Sequence, residues 1–169
     1  MNLAVVLIAQ DDVARLADCF ERIIWQSLRP QLLVGVALPS SDATPWVLTE
    51  MIRAIGSVAI PGLSAQATFA ASRADALTVG CSVAADADLI VVWPTRSPDR
   101  PNDLLAMINS FFDDHLHEVC IKKLDDSTIA FRRLVWERIG DEVRDGTPDE
   151  IFGLARKIGA SCVLSDTLH

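Results

Sequence analysis

The feature that most limits the fold is a set of short, unbroken apolar runs separated by segments of a different period. Leu3 to Ala9 reads LAVVLIA, Leu32 to Leu38 reads LLVGVAL and Leu89 to Trp93 reads LIVVW. Such runs, rich in branched residues, suit strands covered on both faces, because a half-exposed strand would alternate apolar with polar positions. Between the first two, Val13, Leu16, Ala17, Phe20, Ile23 and Ile24 recur at helical spacing until Arg29-Pro30 stops them, with Asp11 or Asp12 as the cap. Strand, helix, strand in this order predicts an α/β fold, a mostly parallel sheet with helices on both faces.

The same reading continues along the chain. Trp46 to Ile55 forms a second helix closed by Gly56, Val58 to Ile60 a short third strand, and the alanine-rich stretch Ser64 to Ala85 a long helix or one broken near Gly80. After LIVVW comes a proline-rich loop, PTRSPDRP. Asp103 to His117 is helical by its spacing, Val119 to Ile121 and Thr128 to Phe131 are strand-like with Asp125-Asp126 turning between them, and Leu134 to Ile139 makes one or two helical turns. Asp149 to Ile158 is a helix that Gly159 ends, and Cys162 to Leu164 a last strand. No repeat or linker interrupts residues 1–169, which predicts a single domain.

With 169 residues, half of them hydrophobic, the chain can bury a continuous core. Its 23 acidic and 15 basic side chains leave a formal charge of −8, which repels polyanions and argues against nucleic acid as a partner. The apolar runs fall far short of the roughly 20 residues of a bilayer-spanning helix, so no membrane span is expected. No basic segment precedes the first run, which therefore reads as a buried strand instead of a signal peptide and predicts a cytoplasmic protein. Cys19, Cys81, Cys120 and Cys162 are too far apart for a zinc knuckle or a redox pair and read as buried thiols. His115 and His117, two apart on a helix, face different ways and cannot share a metal, and His169 is the last residue. The glycine-rich phosphate loops and the G-x-S-x-G elbow are absent, which removes dinucleotide dehydrogenases, P-loop enzymes and the common hydrolases.

Several stretches, taken in order, carry a family resemblance. The first strand ends Ala9-Gln10-Asp11 and its helix ends Gln26-Ser27-Leu28-Arg29-Pro30; the second strand leads into Val36-Ala37-Leu38-Pro39-Ser40-Ser41-Asp42; Ile129 to Gly140 reads IAFRRLVWERIG. This pattern resembles the GT-A nucleotide-diphospho-sugar transferase fold, and within it the family 2 glycosyltransferases. The resemblance implies one GT-A-like domain. It also implies a nucleotide-sugar ligand at Gln10, Asp11, Ser40, Asp42, Trp93, Thr95, Arg96 and Arg132. The family's second strand leads into an aspartate pair that holds the base; here Ala37-Leu38-Pro39 stands in that stretch, and Ser40, Ser41 and Asp42 keep only its tail.

In the family the fourth strand ends in Asp-X-Asp, whose carboxylates hold a divalent cation on the pyrophosphate. Trp93-Pro94-Thr95-Arg96 stands there instead, so no cation is expected. Asp99 follows in a loop stiffened by Pro94, Pro98 and Pro101. The family's general base falls near Asp149, with Glu150 in reserve, and both residues also favour a helix start. Arg96, Arg100, Lys122, Lys123, Arg132 and Arg133 can gather at the sheet edge to meet a phosphate without metal. Trp93 either stacks on a base or sugar or fills the site, while Trp25, Trp46 and Trp136 read as core or interface packing. Two functions follow: a glycosyltransferase-like domain of weak or no activity, or a non-catalytic module that assembles with itself or a protein partner through Pro94 to Pro101.

Overall fold

The computed structural model describes residues 2–58, 60–95, 103–114, 120–123 and 128–164; the side chains of Cys120, Lys123 and Leu164 fall outside that description. The three long apolar runs become β1 (Leu3–Ala9), β2 (Leu32–Ala37) and β4 (Leu89–Pro94), with β3 (Ser64–Phe69) beside β2. The shorter strands are β5 (Cys120–Lys123), β6 (Ile129–Arg132) and β7 (Ser161–Leu164). They form one sheet in the order β3-β2-β1-β4-β6-β5-β7. β1 pairs in parallel with β2 and β4, and β2 with β3. β6 alone runs against its neighbours, antiparallel to β4 and β5, and β7 lies parallel to β5.

Alternation along the central strands fills two cores. Leu3, Val5, Leu7 and Ala9 of β1 face one side, with Leu89, Val91 and Trp93 of β4. There they meet α1 (Val13–Ile24), α2 (Thr44–Val58) and α4 (Leu104–Asp113). Ala4, Val6, Ile8, Ile90 and Val92 face the other side, under α3 (Arg73–Val83), α5 (Arg133–Ile139) and α6 (Pro148–Lys157). Both faces are covered, as unbroken apolar strands require. Gln26, buried behind α1, accepts the Leu105 N–H at 3.0 Å and so supplies an acceptor to the open first turn of α4.

The structure corrects the reading between residues 58 and 85. Val58 ends α2 and is exposed, so the helix runs through Gly56 and takes in the residue expected to open a strand at Val58 to Ile60. The third strand is Ser64–Phe69, in the alanine-rich stretch read as helix; Ala65 and Ala67 pack on the core while Ser64 points to solvent. α3 is unbroken at Gly80, where it approaches β1 so closely that a Cβ would lie 2.5 Å from Val6 Cγ1. Ser72 caps it, accepting the Asp75 N–H at 3.1 Å. Trp25 and Trp46 are exposed instead of packed in a core, whereas Trp136 stacks on Phe131 with ring centroids 6.0 Å apart. Cys19 and Cys81 are buried thiols, as expected, and Cys162 is half-buried. No helix among the described residues is long and apolar enough to cross a membrane.

Candidate functional site

The parallel strands β1, β2 and β4 end at one edge, where α/β sheets bind ligands. The loops leaving β1 and β2 are stapled to each other there. Asp11 sits in the left-handed region at φ 51°, and its Oδ1 accepts the Ser41 N–H at 2.6 Å and the Ser41 hydroxyl at 2.9 Å. Its own N–H donates to Ser40 Oγ at 3.2 Å. Asp42 accepts the Thr44 N–H at 2.8 Å and the Val13 N–H at 3.2 Å. α1 is thus capped by a side chain from the β2 loop, while Asp12, which occupies the cap position, makes no side-chain cap bond. The Thr44 hydroxyl, and then these N–H donors, outweigh the effect of burial and hold the Asp42 carboxyl below its ordinary range.

Asp12 is turned to β4 instead. It is buried; one carboxylate oxygen accepts the Thr95 hydroxyl and the other lies 3.2 Å from the Arg15 guanidinium. The Cys19 thiol donates to the Pro94 carbonyl at 3.8 Å, holding the same strand exit. Beside these groups opens a cleft of about 360 Å³, lined by Ile8, Gln10, Asp12, Leu38, Arg73, Pro94 and Thr95. A second hollow is lined, among the described residues, by α2 alone and by no strand end, around Trp46 and the Glu50–Arg53 ion pair.

Of the residues expected to bind nucleotide or sugar, Gln10 and Thr95 line the cleft, and Asp11, Ser40 and Asp42 staple its loops. Trp93 does neither. Its ring lies wholly within the core shared with α1 and α4, so it is no exposed aromatic for a partner or a base. Arg132 is misplaced by the reversed direction of β6. It pairs with Leu89, the first residue of β4, which puts it at the opposite end of the sheet, about 17 Å along the strand from Pro94. There it donates to the Phe112 carbonyl, and Arg133 donates to that of Ala85 at 2.7 Å. Lys122 lies 4.5 Å over the Phe111 ring. Arg96, Asp99, Arg100, Pro98, Pro101, His115, His117, the turn Asp125-Asp126 and His169 lie outside the described residues, as does most of the proposed assembly loop.

Arg73, at the start of α3, is the cation among the described residues lining the cleft, and sequence reading missed it. Its Nε donates to the Gly146 carbonyl at 2.8 Å, and its two terminal nitrogens make no hydrogen bond among the described residues. Burial lowers its pKa from the ordinary arginine value, but the guanidinium stays charged. The signal for its position was Ser72-Arg73-Ala74-Asp75, a helix-start pattern inside the alanine-rich stretch. Asp149 and Glu150 lie in the first turn of α6, beside the Gly146 loop that reaches Arg73. Asp149 is exposed. Glu150 is committed to backbone: its carboxylate accepts the N–H groups of Arg144, Asp145 and Gly146 at 2.7, 2.9 and 2.8 Å. Burial raises its pKa, but those three donors and the Arg144 charge outweigh that and hold it low.

Neither a family model nor a curated protein matches the sequence. Solved structures do match its fold. A mannosyltransferase, PcManGT, from Pyrobaculum calidifontis, solved with GDP-Man and Mn2+, aligns with a TM-score of 0.76 at 17% identity over 97% of this chain and 54% of its own. TarS 1-349 of S. aureus aligns with a TM-score of 0.70 at 11% identity, over 99% of this chain and 59% of its own. A cytidylyltransferase from Leptospira borgpetersenii serovar Hardjo-bovis gives 0.70 at 10%, over the whole chain and 77% of its own. The fold is therefore of the GT-A type, shared by nucleotide-sugar transferases and cytidylyltransferases. The chain spans little more than half the length of the first two.

Proposed function

We propose that this chain is a glycosyltransferase-like domain that holds a nucleotide-sugar in the cleft without a bridging divalent cation, and that its transfer activity is weak or absent. The carrying observation is the β4 exit. Where the resemblance calls for two carboxylates, Trp93 is packed into the core, Pro94 has no side-chain ligand atom and the Thr95 hydroxyl is spent on Asp12. Among the described residues the one carboxylate lining the cleft, Asp12, is buried against Arg15 and Thr95, and no group of three metal-ligating side chains forms. These residues do not fit a hard cation, which needs several oxygen ligands with open lone pairs.

Arg73 fits a diphosphate instead. A guanidinium offers a bidentate fork to phosphate oxygens, and its partial burial strengthens that interaction. Ile8, Leu38 and Pro94 give the cleft apolar walls of the kind that accept the flat faces of a nucleoside. If transfer occurs, Asp149 is the base, because Glu150 is held by three backbone donors. Calorimetric titration with UDP, GDP, CDP and their sugars, with and without Mn2+, tests the reading. The expected result is binding of one of them that Mn2+ does not strengthen and that Arg73→Ala weakens at least tenfold, the scale of a lost charge-assisted pair. A manganese-dependent gain overturns the cation-free reading. A folded chain that binds none of these ligands overturns the ligand class and leaves the non-catalytic module.

A further inference from the structure

We infer that Glu150 is a positioning residue for the cleft: through the Arg144 to Gly146 loop it holds the Arg73 guanidinium in place. The inference rests on the reading of Arg73 as the phosphate-binding group, and carries it one layer outward.

Thr147 caps α6, accepting the Glu150 N–H at 3.2 Å, and Glu150 stands three residues on, where a capping-box glutamate returns to the N–H of the cap residue. Here it reaches further back. One oxygen takes the Arg144 N–H and the other those of Asp145 and Gly146, so three successive loop donors converge on one carboxylate. The loop so gathered carries Gly146 in the left-handed region, at φ 68°. Gly146 presses against the first turn of α3 so tightly that a Cβ would lie 2.9 Å from Ala74 N and from Arg73 C. Its carbonyl accepts from Arg73 Nε.

The geometry forms a chain of contacts from Glu150 to loop to Gly146 carbonyl to Arg73 Nε, and each link is short. Fixing Nε fixes the plane of the guanidinium and leaves both terminal nitrogens to the cleft that Arg73 lines. A long arginine otherwise loses rotamer freedom on binding an anion; here the loop has already removed it. Helix capping alone needs only the Thr147 hydroxyl and does not account for three donors outside the helix.

The test compares wild type, Glu150→Gln, Gly146→Ala, Arg73→Lys, Arg73→Ala and Arg73→Ala/Glu150→Gln in the full chain. Gln keeps the size of Glu but turns one acceptor oxygen into an NH2 group, so the loop loses at least one donor's partner. In arginine-labelled protein the Arg73 side-chain Nε–H signal, assigned by its loss in Arg73→Lys, should be protected from solvent exchange in wild type. In Glu150→Gln it should exchange at least tenfold faster, with the rest of the amide spectrum retained. Nucleotide affinity should fall roughly tenfold in Glu150→Gln, and Arg73→Ala/Glu150→Gln should lose no more than Arg73→Ala alone, the mark of one coupled unit. If Glu150→Gln lowers only the melting temperature and leaves Arg73 Nε protected, Glu150 merely caps α6 and the inference fails. Should Glu150→Gln not fold, Gly146→Ala must give the same loss of Nε protection. The exchange measurement needs no ligand. A wild type that binds no nucleotide therefore defeats the proposed function, while Arg73 protection still decides the role of Glu150.

Discussion

Replacing Trp93 by Ala tests the account of the β4 exit most directly. The ring is completely buried, in the core formed by β1 and β4 with α1 and α4, whose members include Phe20 and Phe112. A buried tryptophan removes about 200 Å² from water, worth about 5 kcal/mol at about 25 cal/mol per Å². Measured Trp→Ala costs of about 3–5 kcal/mol agree, since lost transfer energy and the residual cavity add and relaxation around the site partly offsets them. We expect a loss of about 4 kcal/mol, a large share of a domain stability of about 5–15 kcal/mol. In urea, with an m value of about 2 kcal/mol/M, the midpoint should fall by about 2 M while m is unchanged. Trp93→Phe, which keeps most of the volume, should lose less than half as much. Light scattering should show the same mass for all three proteins. A loss below about 1 kcal/mol, or a change of mass without loss of stability, would refute the core packing of the ring and put it on an interaction surface.

Two further predictions concern the scaffold around the cleft. Gly80→Ala should destabilise by about 1–2 kcal/mol in urea although alanine favours helix, because its Cβ would meet Val6 Cγ1 on a central strand; a more stable variant would show that α3 and β1 are not in close contact. Glu150 is held below its ordinary pKa, so its contribution is complete above the unfolded carboxylate value and is lost as pH falls through the lower folded value. The stability lost between pH 7 and about pH 3 should therefore be smaller in Glu150→Gln than in wild type, and equal slopes in urea unfolding across that window would contradict the clamp.

Most of the fold was legible because β1, β2 and β4 are covered on both sides and must be apolar throughout. β3 was not, for the opposite reason. It pairs with β2 alone, so its outer positions need no apolar residues, and Ser-Ala-Gln-Ala-Thr-Phe combines good helix formers with a faint alternation. Helix propensity outweighed a period-2 pattern carried by two alanines. Trp46 shows the converse limit. It reads as core or interface packing, yet it is exposed near the start of α2, whose buried face is Thr44, Leu48, Ile52 and Ile55.

The site was legible only where its residues follow strands in sequence. Gln10 and Thr95 come directly after β1 and β4, so knowing the strands placed them. Arg132 also adjoins a strand, and the error there was one of direction. A turn between Thr128 to Phe131 and the preceding strand already implied an antiparallel partner, and an antiparallel strand delivers its C-terminal residue to the wrong edge. Arg73 could be placed only once α3 was known to begin at Ser72, which a helix drawn through residues 64–85 concealed. The aspartates followed the same logic. A carboxylate near a strand exit counts toward a metal site only as far as its lone pairs are open, and one oxygen of Asp11 and both oxygens of Asp12 and Asp42 are already engaged by neighbouring groups. Asp11 and Asp42 at this edge therefore organise the loops, and among the described residues lining the cleft Arg73 is the cation.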